Sequence, residues 1–206
     1  MNWSEFFVLF YKNLVESTLI EAFAVIFGLL SVWYAKKENL LVYPTGIVSV
    51  LIYVYICYFA GLFGEMGINF FYFLMSVFGW YKWTRKDQTN HHIPITWCNW
   101  RIQLSGILAS IFFYFILRYL LINFTNSTVP NIDAVTTAIF IVGMWLMALK
   151  KIENWIYWII GDLISVPLFF YKGLVLTSFQ YTVFLILAVL GFLEWRKKIN
   201  EQIQNS

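Results

Sequence analysis

Asp162 is a carboxylate set within the apolar run 155–171. A charge at membrane depth is expensive and marks a functional position unless it is protonated or bonded for packing. Trp155, Trp158, Asp162 and Ser165 fall at i, i+3, i+7 and i+10, so a helix places them on one face. An acid framed by indole rings suits an organic cation, through charge and cation–π attraction. Within 66–83 a second face carries Asn69, Tyr72 or Phe73, Ser76, Trp80 and Trp83, and Gln180, Tyr181 and Phe184 occupy the equivalent stretch of 175–195. Any one of these polar groups has an ordinary use in bonding a neighbouring helix. Together, on related helices, they describe a cavity for a flat, polar ligand. The candidate substrate-binding set is Asn69, Tyr72, Ser76, Trp80, Trp155, Trp158, Asp162, Gln180 and Tyr181.

The same inventory argues against catalysis. His91 and His92 both sit in a polar linker, so there is no intramembrane Ser–His pair. Of the three aspartates only Asp162 is expected at membrane depth, which removes an aspartyl dyad. No Cys/His/carboxylate group has metal-ligand spacing, and Cys57 and Cys98 read as structural thiols without a disulfide. No lysine precedes Lys197 in the last apolar run, so a retinal protein is excluded. No catalytic residue, metal or cofactor is expected, and no nucleic-acid partner.

The elements that must carry these faces follow from composition. Only 12% of the 206 residues are charged and 61% are apolar, too few charges to cover a water-facing surface. The bilayer is therefore the expected solvent, with Trp and Tyr at the ends of apolar runs as interfacial belts. Spans are predicted near 18–35, 40–59, 66–83, 102–121, 134–150, 155–171 and 175–195, all helical because backbone groups in lipid must be satisfied internally. Residues 1–17 read as a short interfacial helix, since Trp3, Phe6, Phe7, Phe10 and Leu14 recur at helical spacing, and no cleavable leader is expected. With seven spans, Lys36, Lys37, Lys82, Arg85, Lys86, Arg101, Lys150, Lys151, Arg196, Lys197 and Lys198 share one side, leaving Lys12, Arg118 and Lys172 near the other. The positive-inside rule makes the basic side cytoplasmic, with the N-terminus outside and the C-terminus inside.

The chain also contains a duplication. Gly28, Glu38, Asn39 and Gly46 recur 115 residues later as Gly143, Glu153, Asn154 and Gly161. After a three-residue contraction Gly61, Leu62, Gly79 and Trp83 recur 112 later as Gly173, Leu174, Gly191 and Trp195. The expected organisation is 1–17 interfacial helix, 18–86 first three-helix repeat, 87–133 cytoplasmic linker with a connecting fourth span and outer loop, 134–198 second three-helix repeat, and 199–206 cytoplasmic tail. Three spans per copy and one connector make the copies parallel, a 3+1+3 plan like that of the SWEET carriers, with substrate between the bundles. Glu38 and Glu153 read as caps or inner-loop anchors that join the repeats. The oligomeric state is open.

These strings resemble the PnuC family of bacterial vitamin-precursor transporters over roughly 20–198: Tyr43-Pro-Thr-Gly46, Gly61-Leu-Phe63, Asn69, Gly79-Trp-Tyr-Lys-Trp83, then Glu153-Asn-Trp155, Trp158, Asp162, Tyr171-Lys-Gly-Leu174, Thr177 and Gly191. The resemblance implies a multi-pass protein of the bacterial inner membrane that takes up nicotinamide riboside, a pyridinium cation, by facilitated diffusion. It also implies trapping of the substrate by a cytoplasmic kinase. Asn69 stands where such members often have Gln, and Asp162 where some have Asn. Relatives carry thiamine, also a flat cation, or riboflavin, whose neutrality Asp162 disfavours. On this reading Trp158 and Trp80 offer ring faces, Asn69 and Gln180 polar contacts and Asp162 charge, while the repeats rock about the fourth span. Thiamine transport is the alternative within the class. A non-transporting receptor or scaffold is the alternative outside it, and predicts a closed apolar core.

Overall fold

The computed structural model describes residues 8, 18–85, 93–125 and 127–204, and its helices run α1 Leu19–Lys36, α2 Val42–Phe59, α3 Phe63–Thr84, α4 Trp100–Phe124, α5 Pro130–Ala148, α6 Asn154–Tyr171 and α7 Val175–Gln204. Apart from Val8, the predicted interfacial helix 1–17 lies outside the described residues, as does the His91–His92 pair. Local chemistry sets several boundaries. The Thr18 and Asn99 side chains accept from Glu21 N and Ile102 N at the starts of α1 and α4. Pro130 opens α5, where a missing N–H does no harm. Gly61 and Gly173 end α2 and α6 in left-handed turns at φ +70° and +76°. The last helix extends to Gln204, so residues 199–204, read from sequence as tail, continue α7.

Among the described residues, five helices are long and apolar enough to cross a bilayer by length and composition, namely α1, α2, α4, α5 and α7. The other two, α3 and α6, carry most of the predicted polar site. Packing closes six helices into a ring in the order α1, α2, α3, α5, α6, α7 and back to α1. The fourth helix lies outside it, packed chiefly against α5 with most of its side chains exposed. The fourth helix therefore does not separate the two repeats, which pack directly against each other through α1–α7 and α3–α5.

The repeat is more regular than its sequence matches suggest. Each backbone bond of the α1–α2 turn recurs 112 residues later: Glu38 N to Ala35 O as Lys150 N to Met147 O, Asn39 N to Tyr34 O as Lys151 N to Leu146 O, and Tyr43 N to Leu40 O as Trp155 N to Ile152 O. The α2–α3 turn obeys the same spacing, with Leu62 N to Cys57 O matched by Leu174 N to Phe169 O. The 115-residue register is thus corrected. Glu38 is the structural counterpart of Lys150 rather than Glu153, and Gly46 that of Trp158 rather than Gly161. Matching by residue identity was misled because the two copies place unlike residues at like positions.

Where the copies meet, they exchange bonds. Trp83 Nε1 donates to Met147 O at 3.2 Å and Trp195 Nε1 donates to Ala35 O at 3.0 Å. These are counterpart donors reaching counterpart acceptors, the signature of a two-fold relation. The two indoles lie 6.1 Å apart, and each is met edge-on by an aromatic ring of its own repeat, Tyr43 at 5.2 Å and Trp155 at 5.6 Å. Beside them Lys150 Nζ bonds Glu38 Oε1 at 2.8 Å and Ile93 O at 2.9 Å, while Lys198 Nζ reaches Glu38 Oε2 at 3.0 Å. Glu38 and Lys150 have left-handed backbones at φ +58° and +51°. Such non-glycine strain persists where surrounding contacts over-determine it, and here the two strained residues hold each other.

Residues 93–98 of the linker dock on this end. Thr96 N bonds Lys150 O, Ile152 N bonds Thr96 O, and Cys98 N bonds Glu153 Oε1. Glu153 thereby anchors the linker, and Glu38 joins the repeats. Ile95 is buried in the cluster around Trp83. Burial and then the Glu153 carboxylate push the Cys98 thiol up to about 12, so this cysteine is an inert packing residue.

Gly79 and Gly191 make the aromatic seal possible. A Cβ on Gly79 would lie 2.4 Å from the Tyr43 ring, and one on Gly191 2.6 Å from Trp155. Overpacking of this kind typically costs about 1–3 kcal/mol. Gly79→Ala and Gly191→Ala are each expected to lower stability by that amount in denaturant titrations of the purified protein. Unchanged stability in both would show that the rings can move aside.

Candidate substrate cavity

The ring of helices encloses a cavity of about 1010 Å³. One end reaches Gly61, Leu62, Thr125 and Ser127, away from the basic clusters; the other stops at a floor of Ala35, Tyr43, Met147 and Trp155. Below the floor lie the Trp83–Trp195 pair and the Glu38–Lys150 ion pair. A cavity of this size matches sites for drug-sized ligands, and it speaks against the closed core predicted for a scaffold.

Of the nine predicted residues, Asn69, Tyr72, Ser76, Trp155, Trp158, Asp162, Gln180 and Tyr181 line this cavity. Trp80 does not; it is 39% exposed. At its level Tyr43 covers Gly79 and Trp83 occupies the interior, so the inward direction is filled and Trp80 faces out of the bundle. Trp155 belongs to the floor, held against Gly191 and Trp195.

Asp162 is 1% exposed, and neither carboxylate oxygen has a hydrogen-bond partner among the described residues. Ser165 Oγ, Trp155 Nε1 and Tyr43 Oη are likewise buried and unpartnered, and all four residues line the cavity. Buried polar groups without partners are uncommon, and each calls for an explanation. Asn69 turns its amide donor to Glu65 O at 2.9 Å, which leaves its side-chain oxygen for another donor.

Next to Asp162 stands a wall of stacked rings. Phe140 lies 5.3 Å from Trp158 and 5.9 Å from Tyr181, and Tyr181 stacks on Phe169 at 4.9 Å and 12°. Gly161 permits it, because a Cβ there would sit 2.3 Å from the Phe140 ring. Toward the mouth, Glu21, Glu65 and Asp133 also line the cavity, with Lys172 as its one cation among the described residues. Lys172 is held by Asp133 at 2.6 and 2.8 Å, and Asp133 also accepts from Ser127 Oγ. With four carboxylates against a single ammonium, the cavity attracts positive charge.

Sequence reasoning missed Phe140, Phe169, Tyr43 and the Asp133–Lys172 pair. It set Asp133 aside as lying outside the membrane segments, whereas the first turn of α5 projects it into the mouth. Tyr43 stood in a quoted motif, but nothing in its spacing separated a floor residue from an interfacial ring. Phe140 and Phe169 sit among other apolar residues and carried no signal.

Residues 18–197 match the family described as "Nicotinamide mononucleotide transporter". The chain is 26% identical over 208 residues to the "Nicotinamide riboside transporter PnuC" of Escherichia coli (strain K12), spanning 89% of this chain and 87% of that protein. It is also 26% identical over 200 residues to the "Riboflavin/roseoflavin transporter RibM" of Streptomyces davaonensis, spanning 95% and 92%. The "Crystal structure of the Vitamin B3 transporter PnuC" has the same fold, with a TM-score of 0.71 over 95% of this chain and 90% of that one, at 23% identity.

Proposed function

Because this chain belongs to the nicotinamide mononucleotide transporter (PnuC) family of membrane transporters, we propose that it carries a flat organic cation, nicotinamide riboside first. The observation that carries this reading is Asp162, a buried, unpartnered carboxylate beside the Trp158–Phe140–Tyr181 ring wall. A pyridinium ring offers that acid its charge and offers the rings its face. Asn69, Tyr72 and Ser76 add polar contacts from α3, and Gln180 adds one from α7. Facilitated diffusion is the mode of transport that the resemblance to this family implies. A kinase on the inner side would trap the product.

The basic ends of α1, α3, α5 and α7 face the cytoplasm, which leaves the N-terminus outside and the C-terminus inside. The closed floor then lies toward the cytoplasm and the acidic mouth outward. The likeness to the riboflavin and roseoflavin transporter supports one competing substrate, and thiamine, a second flat cation, is another. Side-by-side thermal stabilisation by nicotinamide riboside, thiamine and riboflavin decides among them. At a hundred times its dissociation constant a ligand adds about 2.7 kcal/mol. Selective stabilisation by nicotinamide riboside is expected; a selective riboflavin shift would overturn the cation reading.

A further inference from the structure

The two halves of the cavity are unlike, although the backbones that build them correspond. At the common spacing of 112 residues, Trp158 has Gly46 as its counterpart, Phe140 has Gly28, and Asp162 has Val50. In the other direction, Ser31 stands opposite Gly143 and Ser76 opposite Ala188. In the second repeat the Trp158 indole lies over Gly143, where a Cβ would meet its Nε1 at 3.4 Å and its Cδ1 at 3.6 Å. In the first repeat there is no indole. Gly46 and Ser31 both line the cavity, and a Cβ on Gly46 would meet Ser31 Oγ at 3.0 Å and Ser76 Oγ at 3.8 Å. Two hydroxyls from α1 and α3 thus converge on one point of α2, in the place that a ring fills in the other half.

The bonding state of these hydroxyls defines what they take. Ser31 Oγ donates to Val42 O at 2.8 Å, so it meets a ligand as an acceptor. Ser76 is 2% exposed and lines the cavity, where a hydroxyl can donate or accept. Tyr43, one turn before Gly46 on α2, has a buried and unpartnered Oη in the same wall. An unmade bond at a buried hydroxyl carries a desolvation penalty that a ligand hydroxyl removes. We propose that this recess of the first repeat, formed by Ser31, Tyr43, Gly46 and Ser76, is a hydroxyl-binding subsite that takes the sugar of a nucleoside-like substrate, while the aromatic half holds the flat ring. The proposal rests on the substrate reading above. It assigns the two repeats different tasks within one site.

The test compares nicotinamide riboside with its 2′,3′-dideoxy analogue, which keeps ring, charge and approximate size but lacks two hydroxyls. Binding is measured by calorimetry on the purified full chain. The unaltered protein is expected to prefer the riboside by roughly tenfold, the worth of one or two hydrogen bonds. Ser76→Ala removes most of that preference, and an unchanged melting temperature of the ligand-free variant shows that it is folded. Gly46→Ala places a methyl in the recess and weakens the riboside by at least as much. A protein that binds both ligands equally, or a Ser76→Ala variant that keeps the full preference, overturns the subsite and leaves the substrate reading standing. Failure of the unaltered protein to bind the riboside at all overturns both.

Discussion

Asp162→Asn is expected to weaken nicotinamide riboside binding by about 2–4 kcal/mol, roughly 30- to 1000-fold, without destabilising the ligand-free protein. The two halves of this expectation have one cause. In the ligand-free protein both carboxylate oxygens are buried without a partner among the described residues, and an unpaired charge at this depth is unfavourable. The neutral amide removes that penalty, so its melting temperature should equal or exceed that of the unaltered protein. The cation, in contrast, loses the one acid placed against the ring wall. Most site residues stabilise both the fold and the complex, so a variant that improves one while abolishing the other isolates a functional acid. Unchanged affinity in Asp162→Asn would mean that the carboxylate is protonated packing and that the rings alone select the ligand.

Glu38→Gln should be the most damaging change at the closed end of the cavity. Glu38 joins Lys150 and Lys198 across the two repeats, and the Lys150 side chain is only 5% exposed. Removing one partner of a buried pair leaves an uncompensated charge, at a cost of about 3 kcal/mol, whereas removing both costs far less. Glu38→Gln is therefore expected to lower stability by roughly that amount, and Glu38→Gln/Lys150→Met to recover most of it. The same pair backs the floor of the cavity, so its loss should also loosen closure. A cysteine introduced at Ala35, a floor residue beneath which Trp195 bonds, should become more reactive toward a membrane-impermeant maleimide in the Glu38→Gln background. If the double variant is as unstable as the single, the lysine is not held by this acid. If labelling does not change, the tryptophan exchange alone keeps the floor shut.

The two repeats meet along α1–α7 and α3–α5, with the exchanged Trp83 and Trp195 bonds at one end and the acidic mouth at the other. Separating the repeats at the closed end would break both tryptophan bonds, because each runs from one repeat to the other. Such paired contacts favour two discrete arrangements over a continuum.

Much of this protein was legible in its amino-acid order because the bilayer leaves few choices. Apolar runs of span length, helical periodicity and clustered basic residues follow from the cost of unsatisfied backbone and buried charge. For the same reason Asp162 stood out as a candidate: a carboxylate in an apolar run is costly and marks a functional position unless it is protonated or bonded for packing. The common face of Trp155, Trp158, Asp162 and Ser165 followed from helix geometry, and all four reach the cavity wall. The duplication was visible too, though in the wrong register over its first part, since identity matching paired glycine with glycine and glutamate with glutamate. Only the tertiary structure decided that Glu38 stands opposite Lys150, that Gly46 stands opposite Trp158, and that the recess left by that exchange lies in a wall with Ser31 and Ser76. It also turned Trp80 outward, brought Asp133 into the mouth and put α4 outside the ring. Each of these depends on which neighbour fills the space beside a residue. Periodicity along one helix gives the direction of a side chain, but the neighbour is set by packing between helices far apart in the chain.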